Sequence, residues 1–316
     1  MSLEVLLQKA NDKAYDITEV VTAVSFDDNI NKSGVVNFAV VKTDIIPMEG
    51  DAVRIKYDGI TYFSGFVFKV GKTHEAEVKI TAYDQLRYLK TNETYVFSNM
   101  TASEVVRRIC SDYKRTVGEI QDTSYRLGSQ VFDNKDLLDI IADCLNLTLT
   151  NTKQLFFIKD NNGFIELKNI ATTITDLCID TESLLYGYNY ERSIDNDTFN
   201  QIKLVRDNKT TGQREVYITK DSSTIQKWGL LQFYEKVDDD MNPERIKQKA
   251  DGMLKLKNRV EQKLSVDVIG EKSIRSGNVI YVDIPDTGIK KFLLCISAKH
   301  IFENAGHTVK AEFKVV

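Results

Sequence analysis

The same alternating pattern occurs twice in this sequence, in segments that lie far apart along the chain. Residues 50–69 are GDAVRIKYDGITYFSGFVFK, and residues 277–299 are GNVIYVDIPDTGIKKFLLCISAK. Each copy alternates apolar and polar residues with period two, which is typical of strands with one buried face. Glycines separate the alternating runs, where tight turns need a positive φ. Each copy therefore predicts three consecutive antiparallel strands of one small sheet or barrel.

The two copies match in spacing as well as in residue type. Position by position, the pairs are Gly50 and Gly277, Asp51 and Asn278, Val53 and Ile280, Ile55 and Val282, Tyr57 and Ile284, Gly59 and Gly288, Ile60 and Ile289, Phe63 and Phe292, and Val67 and Ile296. Further on, AEVKI at 76–80 matches AEFKV at 311–315. We interpret the match as a duplication, while two unrelated three-stranded meanders could share this phase because β-patterns are degenerate.

Length and composition narrow the class of protein. A chain of 316 residues predicts two or three domains. No apolar run approaches membrane-spanning length, and the N-terminus MSLEVLLQKANDK lacks the pattern of a secretory signal. The net charge of −4 argues against nucleic-acid binding as a bulk property. The four cysteines are scattered without a CxxC pair, which predicts reduced thiols: Cys110, Cys144, Cys178 and Cys295.

The order of the patterns predicts a mainly β protein with an α+β insert. We expect a first β-barrel domain over 1–97, a small α+β domain over 98–182, and a second β-barrel domain with an inserted helix over 183–316. In the middle domain, Thr101 and Glu104 form a capping-box pattern at the start of a helix. In the second barrel domain, Asn242 and Pro243 predict the start of the inserted helix.

Candidate metal ligands are few and poorly spaced. His300 and His307 lie on either side of a predicted hairpin turn, so their rings could approach each other, and His74 lies elsewhere. A zinc site would need further ligands, for which Glu303 and Cys295 are candidates, but structural histidines are the simpler interpretation. We interpret the acidic run 238–240 as negative charge before a helix N-terminus rather than a cation site.

No sequence pattern points to catalysis. The chain has no nucleophile elbow, no phosphate-binding glycine loop and no HExxH motif. The basic residues of the inserted helix are interspersed with glutamates, which favours a solvated or protein-contacting face: Arg245, Lys247, Lys249, Lys255, Lys257, Arg259 and Lys263. Paired carboxylates of a glycosidase leave no motif, so a cell-wall glycan hydrolase stays as the alternative from another class, as does a carbohydrate-binding module. We expect neither an enzyme nor a cofactor.

Three stretches resemble one family. They are AYDQLRYLKTNETYVFSNMTASEVVRRI at 82–109, STIQKWGLLQFYEKVDD at 223–239, and the C-terminal stretch that begins SGNVIYVDIPDTGIKKFLLCISAK at 276. Together they are similar to the baseplate hub proteins of contractile-tailed phages and phage-derived bacteriocins, in particular those of PBSX-like prophages. The stretches occur in the family's order and span most of the chain.

The resemblance implies an architecture and a set of partners. It implies two similar tube-type β-barrel domains in one chain and a homotrimer that presents six barrels, joining a sixfold tail tube protein to a threefold central spike protein among other baseplate proteins. It implies a place in a virion or tail-like particle that assembles in the bacterial cytoplasm, with DNA passing through a channel rather than being recognised by sequence. Some such hubs carry a fused lysozyme or peptidase; this sequence ends at the second barrel, so we expect wall cutting to belong to another protein.

Overall fold

The computed structural model describes residues 2–9, 14–41, 45–72, 77–208, 211–303 and 306–314. The chain divides into two compact units, of which unit 1 comprises Met1–Asn189 and Leu264–Lys314 and unit 2 comprises Tyr190–Lys263. Unit 1 contains both copies of the sequence repeat, and unit 2 interrupts it. In the described ranges, no helix is both long and apolar enough to cross a membrane.

The first barrel is the N-terminal part of unit 1. Its strands are β1 (Leu3–Gln8), β2 (Ala14–Asp16), β3 (Val21–Asn29), β4 (Val35–Val41), β5 (Ala52–Tyr57), β6 (Ile60–Lys72) and β7 (Glu77–Tyr83). The neighbours run β3-β4-β7-β6-β5-β1, and β2 pairs with β1. Alternate residues of these strands face one apolar cluster that includes Val36, Ile55 and Ile80, so period-two patterning gives the barrel its core.

A middle segment follows with its own apolar cluster. Its elements are β8 (Asn92–Phe97), α1 (Ala102–Asp112), β9 (Val117–Ile120), β10 (Gln130–Asp136), α2 (Leu137–Thr152), β11 (Phe156–Asn161) and β12 (Phe164–Asn169). The predicted capping box is confirmed, since Thr101 and Glu104 satisfy each other's backbone amides. Val105 and Ile109 of α1 are fully buried in this cluster. The predicted α+β character of the segment is therefore confirmed, whereas its separation as a domain over 98–182 stays a prediction.

The remainder of the chain carries the second barrel and unit 2. In chain order the elements are β13 (Ile174–Asp180), β14 (Leu185–Ser193), β15 (Gln201–Asn208), β16 (Gln213–Lys220), α3 (Ser222–Trp228), β17 (Gln232–Lys236), α4 (Pro243–Lys257), β18 (Glu261–Ile269), β19 (Val279–Ile284), β20 (Ile289–Glu303) and β21 (Gly306–Lys314). The second barrel consists of β13, β14 and β18–β21, whose neighbours run β14-β18-β21-β20-β19-β13.

The two barrels share one strand order. Taken in chain order, β1, β3, β4, β5, β6 and β7 pair with each other in the same scheme as β13, β14, β18, β19, β20 and β21. The schemes differ in one direction, because β1 runs antiparallel to β5 whereas β13 runs parallel to β19. Where the first barrel has a short turn between β3 and β4, the second barrel has unit 2 between β14 and β18.

Unit 2 corrects part of the prediction from sequence. The predicted second barrel over 183–316, with a helix alone inserted, places the alternating stretches around residues 201–220 among its strands. Instead β15, β16 and β17 form a separate three-stranded sheet. Ile246 and Ala250 of α4 pack in one cluster with Ile202 and Leu204 of β15. Alternation shows that a strand has one buried face but not which sheet it joins, so the pattern did not separate the two sheets.

Candidate assembly interface

The repeat-defining glycines occupy equivalent turns in the two barrels. Gly50 and Gly277 have φ values of +90° and +82°, and Gly59 and Gly288 have values of +74° and +70°. These are left-handed conformations that favour glycine over any residue with a Cβ atom. Glycine at these four positions therefore has a backbone reason that is common to both copies.

A matching pair of hydrogen bonds fixes each repeat. In the first barrel the Gly50 amide donates to the Val67 carbonyl at 2.9 Å, and the Val67 amide donates to the Asp51 carbonyl at 2.8 Å. In the second barrel the Gly277 amide donates to the Cys295 carbonyl at 2.8 Å, and the Cys295 amide donates to the Asn278 carbonyl at 2.9 Å. Val67 is thus the counterpart of Cys295.

The side chains of Asp51 and Asn278 each form a hydrogen bond to the backbone of the loop that precedes the repeat. The Asp51 carboxylate accepts a hydrogen bond from the Met48 amide at 2.8 Å. The Asn278 side-chain amide donates to the Ser273 carbonyl at 2.9 Å. In both barrels, the residue after the glycine therefore ties the incoming loop to the start of the repeat.

These bonds correct the sequence alignment by one residue. The pairing of Val67 with Ile296 is wrong, and so is that of Phe63 with Phe292, because Phe63 is 3% exposed and Phe292 is 52% exposed. The register between β5 and β6 shifts after Ile55, where β6 holds one extra residue. That β-bulge has no equivalent in the β19–β20 register, so every later match moves by one position.

A second bulge lies at the same place in both copies. The register between β6 and β7 shifts between Val67 and Lys69, and the register between β20 and β21 shifts between Cys295 and Ser297. In each strand the extra residue of the bulge is the one directly after Val67 or Cys295. After this bulge, Ile80 of β7 is the counterpart of Ala311 of β21. The predicted match of AEVKI with AEFKV is therefore wrong by four residues. Of the residues in that predicted match, Ala76 and Val315 lie outside the described ranges.

The two barrels join through a continuous sheet. Residues 297–302 of β20 pair antiparallel with residues 24–29 of β3, from Ser297 opposite Asn29 to Phe302 opposite Val24. On the outer face of this junction Lys299 and Asp27 form an ion pair at 3.4 Å. Backbone pairing of this length defines a fixed barrel-to-barrel contact within one chain.

A buried carboxylate crosses the same junction. Asp28 of the first barrel accepts hydrogen bonds from Arg275 Nε at 2.5 Å and from the Ser276 hydroxyl at 2.7 Å. Burial acts to raise the pKa of Asp28, but the Arg275 charge and the hydrogen bonds outweigh it and hold the pKa below its ordinary value. This contact is not predicted from the sequence, in which the one indication of it is an aspartate two residues after Phe26, on the same buried face of the strand as Val24 and Phe26.

A histidine pair packs beside this cluster. His300 Nδ1 lies 2.9 Å from His307 Nε2, and both residues are buried. Burial and the nearby Arg275 charge lower the pKa of His300 to about 3, and burial lowers the pKa of His307 to about 4. The predicted approach of the two rings is therefore confirmed, with both imidazoles neutral at pH 7.

Aromatic rings pack against the histidine pair. The His307 ring stacks on Phe302 with centroids 4.5 Å apart, and Tyr62 meets both histidine rings edge-on. Within the described ranges, no group of three or more metal-ligating side chains is close enough to hold an ion. Glu303 and Cys295 do not complete a zinc site there, and His74 lies outside the described residues.

The basic helix is partly neutralised within unit 2. Lys249 pairs with Glu235 at 2.7 Å, and Lys257 pairs with Asp197. Arg245 and Lys247 are exposed on the first turns of α4. A cationic face of this kind, interrupted by ion pairs, fits a solvated surface better than a phosphate-binding one.

The sequence is similar to known proteins over most of its length. A family model described as YqbQ-like matches residues 24–314. The phage-like element PBSX protein XkdQ of Bacillus subtilis (strain 168) is 35% identical over 266 residues, which cover 83% of this chain and 80% of XkdQ.

Two solved structures that share this fold are tail proteins. The 43 kDa tail protein of prophage MuSo2 from Shewanella oneidensis matches with a TM-score of 0.73 at 13% identity, over 98% of this chain and 97% of that one. A tail protein from Neisseria meningitidis MC58 matches with a TM-score of 0.71 at 14% identity, over 100% of this chain and 97% of that one. At these identities the likeness is one of fold.

Proposed function

The chain belongs to the YqbQ-like family, and from that premise we propose that it is a structural hub subunit of a phage-type tail. In this proposal three copies close into a ring that presents six barrels. One face of the ring meets a sixfold tail tube, and the other meets a threefold central spike and other baseplate proteins. The ring belongs to a virion or tail-like particle assembled in the cytoplasm, and its channel lets DNA pass without reading its sequence.

The repeated strand order is the observation that carries this proposal. Six strands with one pairing scheme occur twice in unit 1, with matching glycine turns and a matching bulge. Two similar bodies in one chain, repeated three times, approximate sixfold symmetry. A trimer of this chain can therefore face a sixfold partner with near-equivalent surfaces.

The contact between the barrels has the character that ring closure needs. It joins β20 of the second barrel to β3 of the first, and these strands hold different places in the shared scheme. A contact between unlike edges is heterologous, and heterologous contacts close into rings when the rotation divides a full turn. A like-to-like contact would instead stop at a pair.

The parts outside the repeat explain how such a ring becomes threefold. The middle segment with α1 and α2 occurs once per chain, and so does unit 2. Three copies of each decorate a ring of six barrels with threefold features. We propose that these parts carry the contacts to the spike and to neighbouring baseplate proteins, while the barrels carry the contact to the tube.

The test is the mass and symmetry of the assembled chain. We expect light scattering at rising concentration, or images of the intact particle, to give a complex of three chains. A chain that stays monomeric in solution and is present in a copy number other than three at the tail tip would contradict the proposal.

A further inference from the structure

Strand β20 binds two different strands along one of its sides. At Leu294 it pairs with Val279 of β19 on one side and with Lys314 of β21 on the other. Strand β21 stays on its side up to Glu303. The pairing of residues 297–302 with β3 must therefore lie on the side of β19, beyond the point where β19 begins. The first barrel thus fills an edge that the second barrel leaves open.

Strand β6 has the same construction with that edge unfilled. At Phe66 it pairs with Ala52 of β5 on one side and with Tyr83 of β7 on the other. Val67 bonds to the loop before β5, while β7 continues along the other side to Lys72. Across the described ranges, residues 68–72 of β6 have no strand on the side of β5. By the bulge alignment this segment is the counterpart of residues 296–300 in β20.

The strand that would fill the edge is present at the opposite end of the sheet. Strand β14 takes the place of β3 in the shared scheme, and it is the terminal strand of the large sheet, with β18 as its one neighbour in the described part of the chain. Tyr186 is 60% exposed and Tyr188 is 39% exposed. A strand of nine residues with an open edge is a template for pairing with another chain.

We propose that residues 68–72 of β6 in one copy pair antiparallel with β14 of the next copy, as β20 pairs with β3 within one chain. The occupant of each edge is a second copy of this chain. The inference rests on the proposed ring and names the contact that closes it. Three junctions within chains and three between chains would then repeat one edge-to-edge geometry six times.

Cysteine cross-linking tests this pairing. Gly71 lies in the β6 edge, and a Cβ added there meets its nearest neighbour, the Lys79 carbonyl, at 3.7 Å, an ordinary contact. Gly71→Cys is combined in turn with Tyr188→Cys, Asn189→Cys, Tyr190→Cys and Glu191→Cys, in a Cys178→Ser background because Cys178 is the native cysteine that is not buried. The molar mass of each variant is measured by light scattering. The variant is then oxidised and run on a denaturing gel without reductant.

We expect cross-links at alternate positions of β14, because side chains on one face of a strand recur every two residues. The linked product should stop at three times the mass of the 36.0 kDa chain. The matched control combines Gly71→Cys with Val216→Cys. Val216 lies on β16 and is 51% exposed, and this combination should give no cross-linked trimer on the gel.

The outcomes separate the contact from the ring. A complex of three chains in which no β14 position links to Gly71→Cys overturns the pairing and leaves the proposed function standing. If the chain is a monomer at every concentration and no linked product forms, the pairing is overturned. A threefold ring seen in intact particles would then have to be closed by another contact. Linked ladders that continue beyond three chains overturn closure.

Discussion

Asp28 and Arg275 form an ion pair at 2.5 Å although 247 residues separate them in the chain. One lies on β3 of the first barrel and the other lies just before β19 of the second. The pair therefore marks the place where the two barrels are held in one orientation. In the proposed hub, that orientation sets the angle between neighbouring barrels of the ring.

We expect Arg275→Gln to lower the free energy of unfolding by about 3 kcal/mol, because it leaves a buried carboxylate without its cation. Urea unfolding at pH 7.5 measures the loss. Arg108→Gln is the matched control, since Arg108 pairs with Asp112 on the exposed face of α1 and the loss of this pair should cost much less. Equal losses in the two variants would show that the junction pair contributes no more than a surface pair.

The two equivalent glycines should differ in their tolerance of alanine. Both have positive φ, so Gly50→Ala should cost about 1 kcal/mol for backbone strain alone. A Cβ at Gly277 would also lie 2.0 Å from the Phe157 ring, whereas a Cβ at Gly50 meets nothing within 4 Å. We expect Gly277→Ala to cost at least twice as much in thermal or urea unfolding. A smaller loss at Gly277 would contradict the packing of β11 against the second repeat.

The sequence repeat predicted the strands but not the register of each residue. Phe63 and Phe292 share a residue type and a spacing, yet the extra residue in β6 places one inside and the other outside. A bulge changes the phase of a strand without a distinctive residue, so alternation alone cannot locate it. The four matching glycines have positive φ values, which is a local backbone requirement that a sequence pattern can indicate.

The contacts between barrels had weaker signals in the sequence. Asp28 stands at a buried phase of its strand, which indicates a buried polar partner but does not name Arg275. The three strands of unit 2 alternate as barrel strands do, so their separate sheet depends on the packing of Ile246 and Ala250 of α4. Long-range packing of this kind decides sheet membership, and a local pattern does not encode it.

The contribution of the histidine pair to stability should fall as the pH is lowered from 7 towards 5, against an opposite contribution from Asp160, whose pKa is raised by burial to about 6. The pKa values of His300 and His307 are lowered to about 3 and about 4, so the unfolded chain binds protons near pH 6.5 that the folded chain does not. Each of the two histidines then lowers the free energy of unfolding by up to about 1.4 kcal/mol for each pH unit below pH 6.5. Urea unfolding at pH 7.5, 6.5 and 5.5 measures the slope.

The control for this slope is the double variant His300→Gln with His307→Gln. It should be less stable than the parent at pH 7.5, and between pH 6.5 and pH 5.5 its free energy of unfolding should change less steeply downwards than that of the parent. An unchanged slope would mean that other groups titrate in this range. Tight stoichiometric zinc in the parent protein, absent from the double variant, would show that the pair binds metal.

The purified chain should not degrade cell walls. The prediction follows from the missing catalytic motifs and from the burial of the histidine pair among aromatic rings. Wall suspensions incubated with the chain should clear no faster than with heat-treated chain, while lysozyme serves as the positive control. Clearing that depends on the folded chain would support the alternative of a tail-tip glycan hydrolase.

Electron cryo-microscopy of the chain in its assembled state tests the central claim most directly. The hub proposal predicts a ring of three chains around an open channel, in which first and second barrels alternate as six similar bodies at nearly equal angles. Unit 2 and the middle segment should each appear three times. A ring with another number of chains, or one in which the two barrels sit at unrelated angles to the axis, would contradict the account.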